Sequence, residues 1–357
     1  MNKNLKYTLI SFTGILLMVI AATGILLMVI AAGAFDSEPD MSYEDAEAVD
    51  IQDIEEPVEQ PTYIPDEVVV VEDSGVEDNS VTDEQHIEWV DQLTAVDMEY
   101  PNDRQRLEMY QSLLDNNNNA YAPIFLASNQ LNVENESKSI GRFEELLASF
   151  GFDVASIDSL EALANAQNVN AMFVLGIYYY QMQRYDQARN WLEQASTQGH
   201  AGAMNQLAWI YRKGLGVTKD LEYAATWHRH SAEANYPRAM TNLAYLYDVG
   251  GGVEKDLEAS AMWYKKAAEL NSASGLYAVA VYALNGTGGM PQDEQEGLRL
   301  LMESAELGHK RSMYVIGQRY ENGDGLDMDM EMAVHWYSES AALGERDAIT
   351  AMSRLNY

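Results

Sequence analysis

Six histidines are the first place to look for chemistry, because the chain has no cysteine. Without thiols there are no disulfides, no thiolate nucleophile and no cysteine-ligated zinc. His228 and His230 stand two residues apart in TWHRHSAEA. On a helix their side chains diverge by about 200°, so they cannot share a metal ion. Counted from the neighbouring tryptophan, His228 occupies the position of Tyr264 and Tyr337, which reads as packing. His200 and His309 each follow a glycine and read as helix starts. No Ser-His-Asp or His-Glu arrangement stands out from a background of 56 Asp and Glu. Glycine clusters at 214 (GLG), 250 (GGG), 286 (GTGG) and 323 (GDG) invite comparison with phosphate cradles. Their recurrence at one spacing from an aromatic marks them as repeat turns instead. NES at Asn135 and NGT at Asn285 match the glycosylation acceptor, at a frequency near chance. The sequence therefore predicts no catalytic residue, no metal ligand and no cofactor.

What positions these residues is a repeat. Trp191, Trp227, Trp263, Leu300 and Trp336 are spaced 36, 36, 37 and 36 residues apart. Seven residues before the last four lie Asp220, Asp256, Asp293 and Asp329. Ala224, Ser260, Gly297 and Ala333 follow, then Ala232, Ala268, Ala305 and Ala341. Upstream stand Tyr211, Tyr247, Tyr282 and Tyr320, each followed by one of the glycine clusters. Periods of this length signify a solenoid. The Asp should cap the second helix of each unit, the glycines should allow positive φ in the turn, and the small residues should let helices approach. A lone helix pair cannot bury its apolar face, so pairs stack. Ala348, Met352 and Leu355 begin a sixth unit, as a terminal cap would.

The stretches AMNQLAWIYRKGLGVTKDLEYAATWHRHSAEA from Ala203 and AMTNLAYLYDVGGGVEKDLEASAMWYKKAAEL from Ala239 resemble the Sel-one-like repeat, a relative of the tetratricopeptide repeat. Looser copies start at Ser274 and Ser312, and a first unit from Ala171 lacks the glycine loop. The resemblance implies an all-α, right-handed superhelical solenoid of about five helix-turn-helix repeats over 171–357. It also implies an adaptor that holds other proteins. A cysteine-rich branch of the family is linked to β-lactams, and a chain without cysteine is a poor match to it.

The rest of the chain reads differently. TGILLMVIAA occurs twice, at 13–22 and 23–32, and no charge interrupts 7–35. That run exceeds the ~20 residues of a membrane span. With Lys3 and Lys6 before it and acid after it, the positive-inside rule sends the bulk of the chain outward. Residues 1–35 are expected to be a transmembrane anchor or uncleaved signal of a bacterial inner-membrane protein facing the periplasm. The alternative is cleavage after Ala32-Gly33-Ala34, giving a secreted or periplasmic protein. Residues 36–82, acidic and punctuated by prolines, are expected to be a disordered linker. Residues 83–170 show helical spacing at Ile87, Val90, Leu93 and Thr94, at Leu107, Tyr110, Leu113 and Leu114, and at Phe143, Leu146, Leu147 and Phe150. They are expected to be a helical cap or degenerate repeats.

The formal net charge is −34, and 36–100 hold 23 Asp and Glu with no Lys or Arg. Such a surface repels phosphate backbones, so nucleic acid is excluded as a partner. Within each first helix, Ala203, Leu207 and Tyr211 share the face that should pack on the second helix. The opposite face carries Asn205 and Trp209, matched by Phe173 and Ile177, Thr241 and Tyr245, Leu276 and Ala280, and Tyr314 and Gln318. In the family this face is expected to line the concave groove. Trp209 and Tyr245 should anchor a bound segment, Asn205 and Asn242 should bond its backbone, and Tyr314 and Gln318 extend the groove. The expectation is a membrane-tethered scaffold binding a protein or peptide partner of unknown identity. The alternatives are a cell-envelope hydrolase and a structural part of an envelope or motility assembly.

Overall fold

The computed structural model describes residues 8–12, 15–22, 25–30, 82–99, 102–117, 119–133, 140–153 and 155–355. The linker expected over 36–82 lies outside the described residues, except Thr82. Thr82 Oγ1 accepts from Gln85 N, and Gln85 Oε1 accepts from Thr82 N, a reciprocal cap at the start of α1 (Asp83–Glu99).

The apolar N-terminal run departs from expectation. In place of a transmembrane helix it holds three antiparallel strands, β1 (Thr8–Phe12), β2 (Ile15–Ala22) and β3 (Ile25–Ile30). Among the described residues, no helix is long and apolar enough to cross a membrane. The doubled decapeptide supplies the reason. Phe12 pairs with Ile15 and Ala22 with Ile25, so two residues, Thr-Gly in each copy, separate successive strands. A two-residue spacer with glycine suits a hairpin, and the Ile and Val between the spacers suit a strand.

Four helices follow α1: α2 (Asp103–Asn117), α3 (Ala122–Val133), α4 (Ile140–Ser149) and α5 (Ser156–Asn165). Val90, Leu93, Tyr110, Leu113, Phe143, Leu146 and Leu147 are buried in one cluster with Leu107, Leu114 and Phe150 packed against it, so the helical spacing marks a core face, except at Ile87, which is 38% exposed. Asn119 closes this region. Its Nδ2 donates to Trp89 O, and its Oδ1 accepts from Tyr121 N and Ala122 N.

The repeats then alternate first and second helices. They are α6 (Val169–Gln181) with α7 (Tyr185–Thr197), α8 (Ala201–Lys213) with α9 (Leu221–Glu233), and α10 (Pro237–Val249) with α11 (Leu257–Glu269). After these come α12 (Ala273–Asn285) with α13 (Glu294–Glu306), and α14 (Lys310–Asn322) with α15 (Met330–Ala342). A single helix, α16 (Arg346–Arg354), packs on the last pair. Each predicted Asp caps its second helix: Asp220 accepts from Tyr223 N, Asp256 from Glu258 N and Ala259 N, Asp293 from Glu296 N, and Asp329 from Glu331 N and Met332 N. His200 and His309 cap first helices, accepting from Ala203 N and Ser312 N. Gly252 shows why the turn needs glycine: φ is +76°, and an added Cβ would lie 2.0 Å from Leu221 O. Ser231, Ser304 and Ser340 each donate to the backbone carbonyl at the start of their repeat's first helix: Ala201 O, Ala273 O and Lys310 O.

Two details correct the sequence register. The residue after each repeat's tryptophan position is the more deeply buried one: His228, Tyr264, Leu301 and Tyr337 are 0–3% exposed, whereas of the repeat tryptophans at that position only Trp263 is buried. In the fourth repeat, the extra residue lies in the loop after α12, not before it. Ser272 caps α12 through Gly275 N as His200 caps α8 through Ala203 N. Gly275, not Ser274, therefore matches Ala203. The groove positions of that repeat are Tyr277 and Val281, while Leu276 and Ala280 are core.

The α1–α2 junction reaches far along the solenoid. Tyr236 OH, before α10, donates to Asp97 Oδ2 at 2.8 Å. Asn102 Oδ1 accepts from Ala273 N at 2.9 Å, and its Nδ2 donates to Asn271 O at 3.1 Å. This strap lies against the N-terminal ends of α10 and α12 and leaves the C-terminal halves of the first helices to form the candidate site.

Candidate partner groove

Asn205 sits mid-way along α8, on the face away from Ala203 and Leu207, which are fully buried. It is itself 9% exposed. Its Oδ1 accepts from Asn242 Nδ2 of α10 at 3.0 Å and lies 3.1 Å from His228 Nδ1 of α9. An oxygen can only accept, so His228 Nδ1 carries the proton and Nε2 holds a lone pair. Burial first, then Arg212, pushes His228 down to about 3, so it is neutral. The two asparagines therefore join adjacent repeats, and the Oδ1 of Asn205 is committed within the protein.

One turn further, Trp209 and Tyr245 stand half-buried at matching positions of α8 and α10. Trp209 Nε1 donates to Tyr180 OH of α6 at 3.1 Å. The Arg212 guanidinium lies 4.7 Å from the Trp209 ring centre and 5.4 Å from that of Tyr245, and Lys213 Nζ lies 4.9 Å from Trp209. Tyr180, Trp209, Arg212 and Tyr245 thus form one ledge across three repeats. Arg212 was not singled out from sequence. Its matching positions carry Tyr180, Asp248, Leu284 and Glu321, so no pattern marks it.

The remaining predicted residues lie apart from this ledge. Phe173 is 2% exposed, stacked on His200 at 4.3 Å and facing Phe125 of α3, so helices before the repeats cover the face at the first unit. Thr241 is buried. Tyr314 and Gln318 form a second station on α14, where Gln318 Nε2 donates to Tyr314 OH at 2.7 Å. They line a cleft of about 290 Å³ with Glu321, Tyr337, Asp347 and Arg354. Charges there are matched within the protein: Arg354 pairs with Glu321, and Arg311 pairs with Glu345 and Asp347. Among the described residues, no group of three or more His, Asp or Glu could hold a metal ion.

Comparison with known proteins fits this geometry. The family model described as Sel1 repeat matches five times, at 169–200, 201–236, 237–272, 273–309 and 310–345. A Sel1 repeat protein from Oxalobacter formigenes is similar in structure with a TM-score of 0.50, 24% identity, and coverage of 65% of this chain and 89% of that one. A protective antigen with an SLR fold from uropathogenic Escherichia coli gives 0.49 and 20%, covering 77% of this chain and 67% of that one. The chitin synthase regulator SKT5 of Saccharomyces cerevisiae is 30% identical over 73 residues, which is 20% of this chain and only 10% of that protein.

Proposed function

Since residues 169–345 belong to the Sel1 repeat family, whose solenoids typically act as protein–protein interaction scaffolds, we propose that this chain is an adaptor holding an extended protein segment on the first-helix face of its second and third repeats. The observation that carries this reading is the pair Trp209 and Tyr245. Two large rings stay half-buried at equivalent positions of adjacent first helices, beside cations and next to a part-buried polar lock. Aromatic residues held this way are efficient anchors, because their ordering cost is met before the partner arrives. Changing Trp209 and Tyr245 to Ala together should abolish capture of the native partner in an affinity pull-down from detergent-solubilised membranes, with helicity and melting temperature near wild type. Retained capture, or a much lower melting temperature, would remove the groove from this face.

For location we propose export, with the apolar run 7–35 delivering the solenoid to the far side of a bacterial inner membrane. Lys3 and Lys6 ahead of that run and the acidic residues after it support this orientation. The mass of the native protein tests how it is held. A mature N-terminus at Phe35 would replace membrane attachment with release into the periplasm or medium.

A further inference from the structure

Among the described residues, Arg212 is a cation without an anion. In α14 and α16, Arg311 pairs with Glu345 and Asp347, Arg319 with Glu294, and Arg354 with Glu321. Among the described residues no carboxylate pairs with Arg212, and its Nη1 is buried without a hydrogen bond. Burial holds its guanidinium below the usual range, and the only neighbour opposing that is the Tyr245 phenol. Beneath it, His228 Nε2 is likewise buried and unpartnered. A partly buried guanidinium lacking a counter-charge is costly, and mutual attraction with a carboxylate is the ordinary remedy. The two flanking rings lie against the guanidinium, whose planar fork suits a carboxylate.

The charge of the two layers points the same way. The first helices α6, α8, α10, α12 and α14 carry six Lys and Arg against two Asp and Glu. The second helices α7, α9, α11, α13 and α15 carry five against twelve. In a chain of net charge −34, the basic excess among these ten helices is confined to the layer that holds the ledge. The ledge also runs on past Arg212 in both directions, to Tyr180 of α6 and Tyr245 of α10. A strand passing through suits it better than a chain end.

Resting on the adaptor reading above, we propose that the ledge Tyr180–Trp209–Arg212–Tyr245 binds an extended acidic segment of a partner protein, with Arg212 taking an Asp or Glu side-chain carboxylate. Such a segment supplies the missing counter-charge at Arg212, and aromatic residues flanking the acid stack on Trp209 and Tyr245.

The test uses the full chain and fluorescein-labelled peptides of alternating Glu and Tyr, C-terminally amidated, with the matched Gln–Tyr peptide as control. Anisotropy should show the Glu peptide binding at least about tenfold more tightly, with an advantage that shrinks as salt is raised. Arg212→Met should erase that advantage, and Arg212→Lys should restore part of it. The melting temperature of Arg212→Met should be unchanged or higher, because an uncompensated buried cation has been removed. Equal binding of the two peptides overturns the carboxylate assignment while leaving the adaptor reading to its own pull-down. Arg212→Met that melts much lower and keeps the preference for Glu makes the arginine a packing group and overturns it too. If a Gln–Tyr peptide with a free C-terminus binds as well as the Glu peptide, the contact belongs to a chain end. If the Glu peptide binds only after residues 36–82 are deleted, the occupant is this chain's own acidic segment and not a partner.

Discussion

Trp263→Ala is expected to destabilise the solenoid by roughly 3–5 kcal/mol, against about 1 kcal/mol for Asp256→Ala at the N-cap of the same helix. Trp263 is 7% exposed and belongs to the cluster that includes Leu243, Leu276 and Leu301, so truncation leaves a cavity that neighbouring helices cannot collapse to fill. Lys266 Nζ covers the ring at 4.1 Å, and its aliphatic stem would also lose contact. Asp256 is exposed and satisfies two amide groups that water would otherwise satisfy in part. Chemical denaturation of the two variants measures the contrast. Equal, small losses would mean that the tryptophan does not sit between stacked helices and that the repeat register is misplaced.

Acid should destabilise the fold sharply well before its carboxylates protonate. His200 is held down to about 4, chiefly by burial and against the pull of Asp97; His228 is held at about 3 by burial and Arg212. His309 is held at about 3 by burial, Lys310 and Arg311, but its side chain is only half-buried by exposed area, so its share is discounted. All three are neutral when folded and have ordinary values near 6.5 when unfolded. Below pH 6.5 the unfolded chain binds protons that the folded chain refuses. Stability is therefore complete above pH 6.5 and falls as pH drops toward 4 and 3. From His200 and His228 alone the loss between pH 6.5 and 5 is roughly 3 kcal/mol. The structural cause is direct: His200 and His309 cap α8 and α14 through an Nδ1 lone pair, and protonation there removes the acceptor. Urea denaturation at pH 7, 6 and 5 reads the slope. A variant carrying His200→Asn, which keeps a cap acceptor, and His228→Tyr, the residue type of the equivalent Tyr264 and Tyr337, should be much flatter. A wild-type protein equally stable at pH 7 and 5 would show these imidazoles to be protonated in the fold.

Local signals were legible because the repeat states them several times. Four aspartates, four glycine clusters and a near-constant tryptophan each recur beside the same neighbours, and each does its work within a few residues of itself. An N-cap, a positive-φ turn and a small residue under a helix crossing require no knowledge of distant chain. The same reasoning failed where the chain offered one statement or two conflicting ones. The fourth repeat has 37 residues to its tryptophan position, and only the Ser272 cap shows that the extra residue is in the following loop. The apolar N-terminal run satisfies a helix by length and a hairpin by its repeated Thr-Gly, and length alone pointed to the helix.

The sequence by itself therefore determined the helix pairs, their period, their caps and the family to which they belong. Only the tertiary structure decided which parts of the first-helix face remain open. Phe173 stands on the same first-helix face as Trp209, at the position of Asn205, yet α3 and His200 cover it while Trp209 stays half-buried. Asn102 reaches Ala273 across 171 residues, a contact no periodicity encodes. Arg212 became significant only when its neighbours were known, because a guanidinium on a helix surface is ordinary until two rings lie against it and no carboxylate among the described residues pairs with it. Periodic local chemistry repeats along the chain and can be read there. Burial and charge balance depend on which distant residues arrive beside a side chain, and folding alone brings them together.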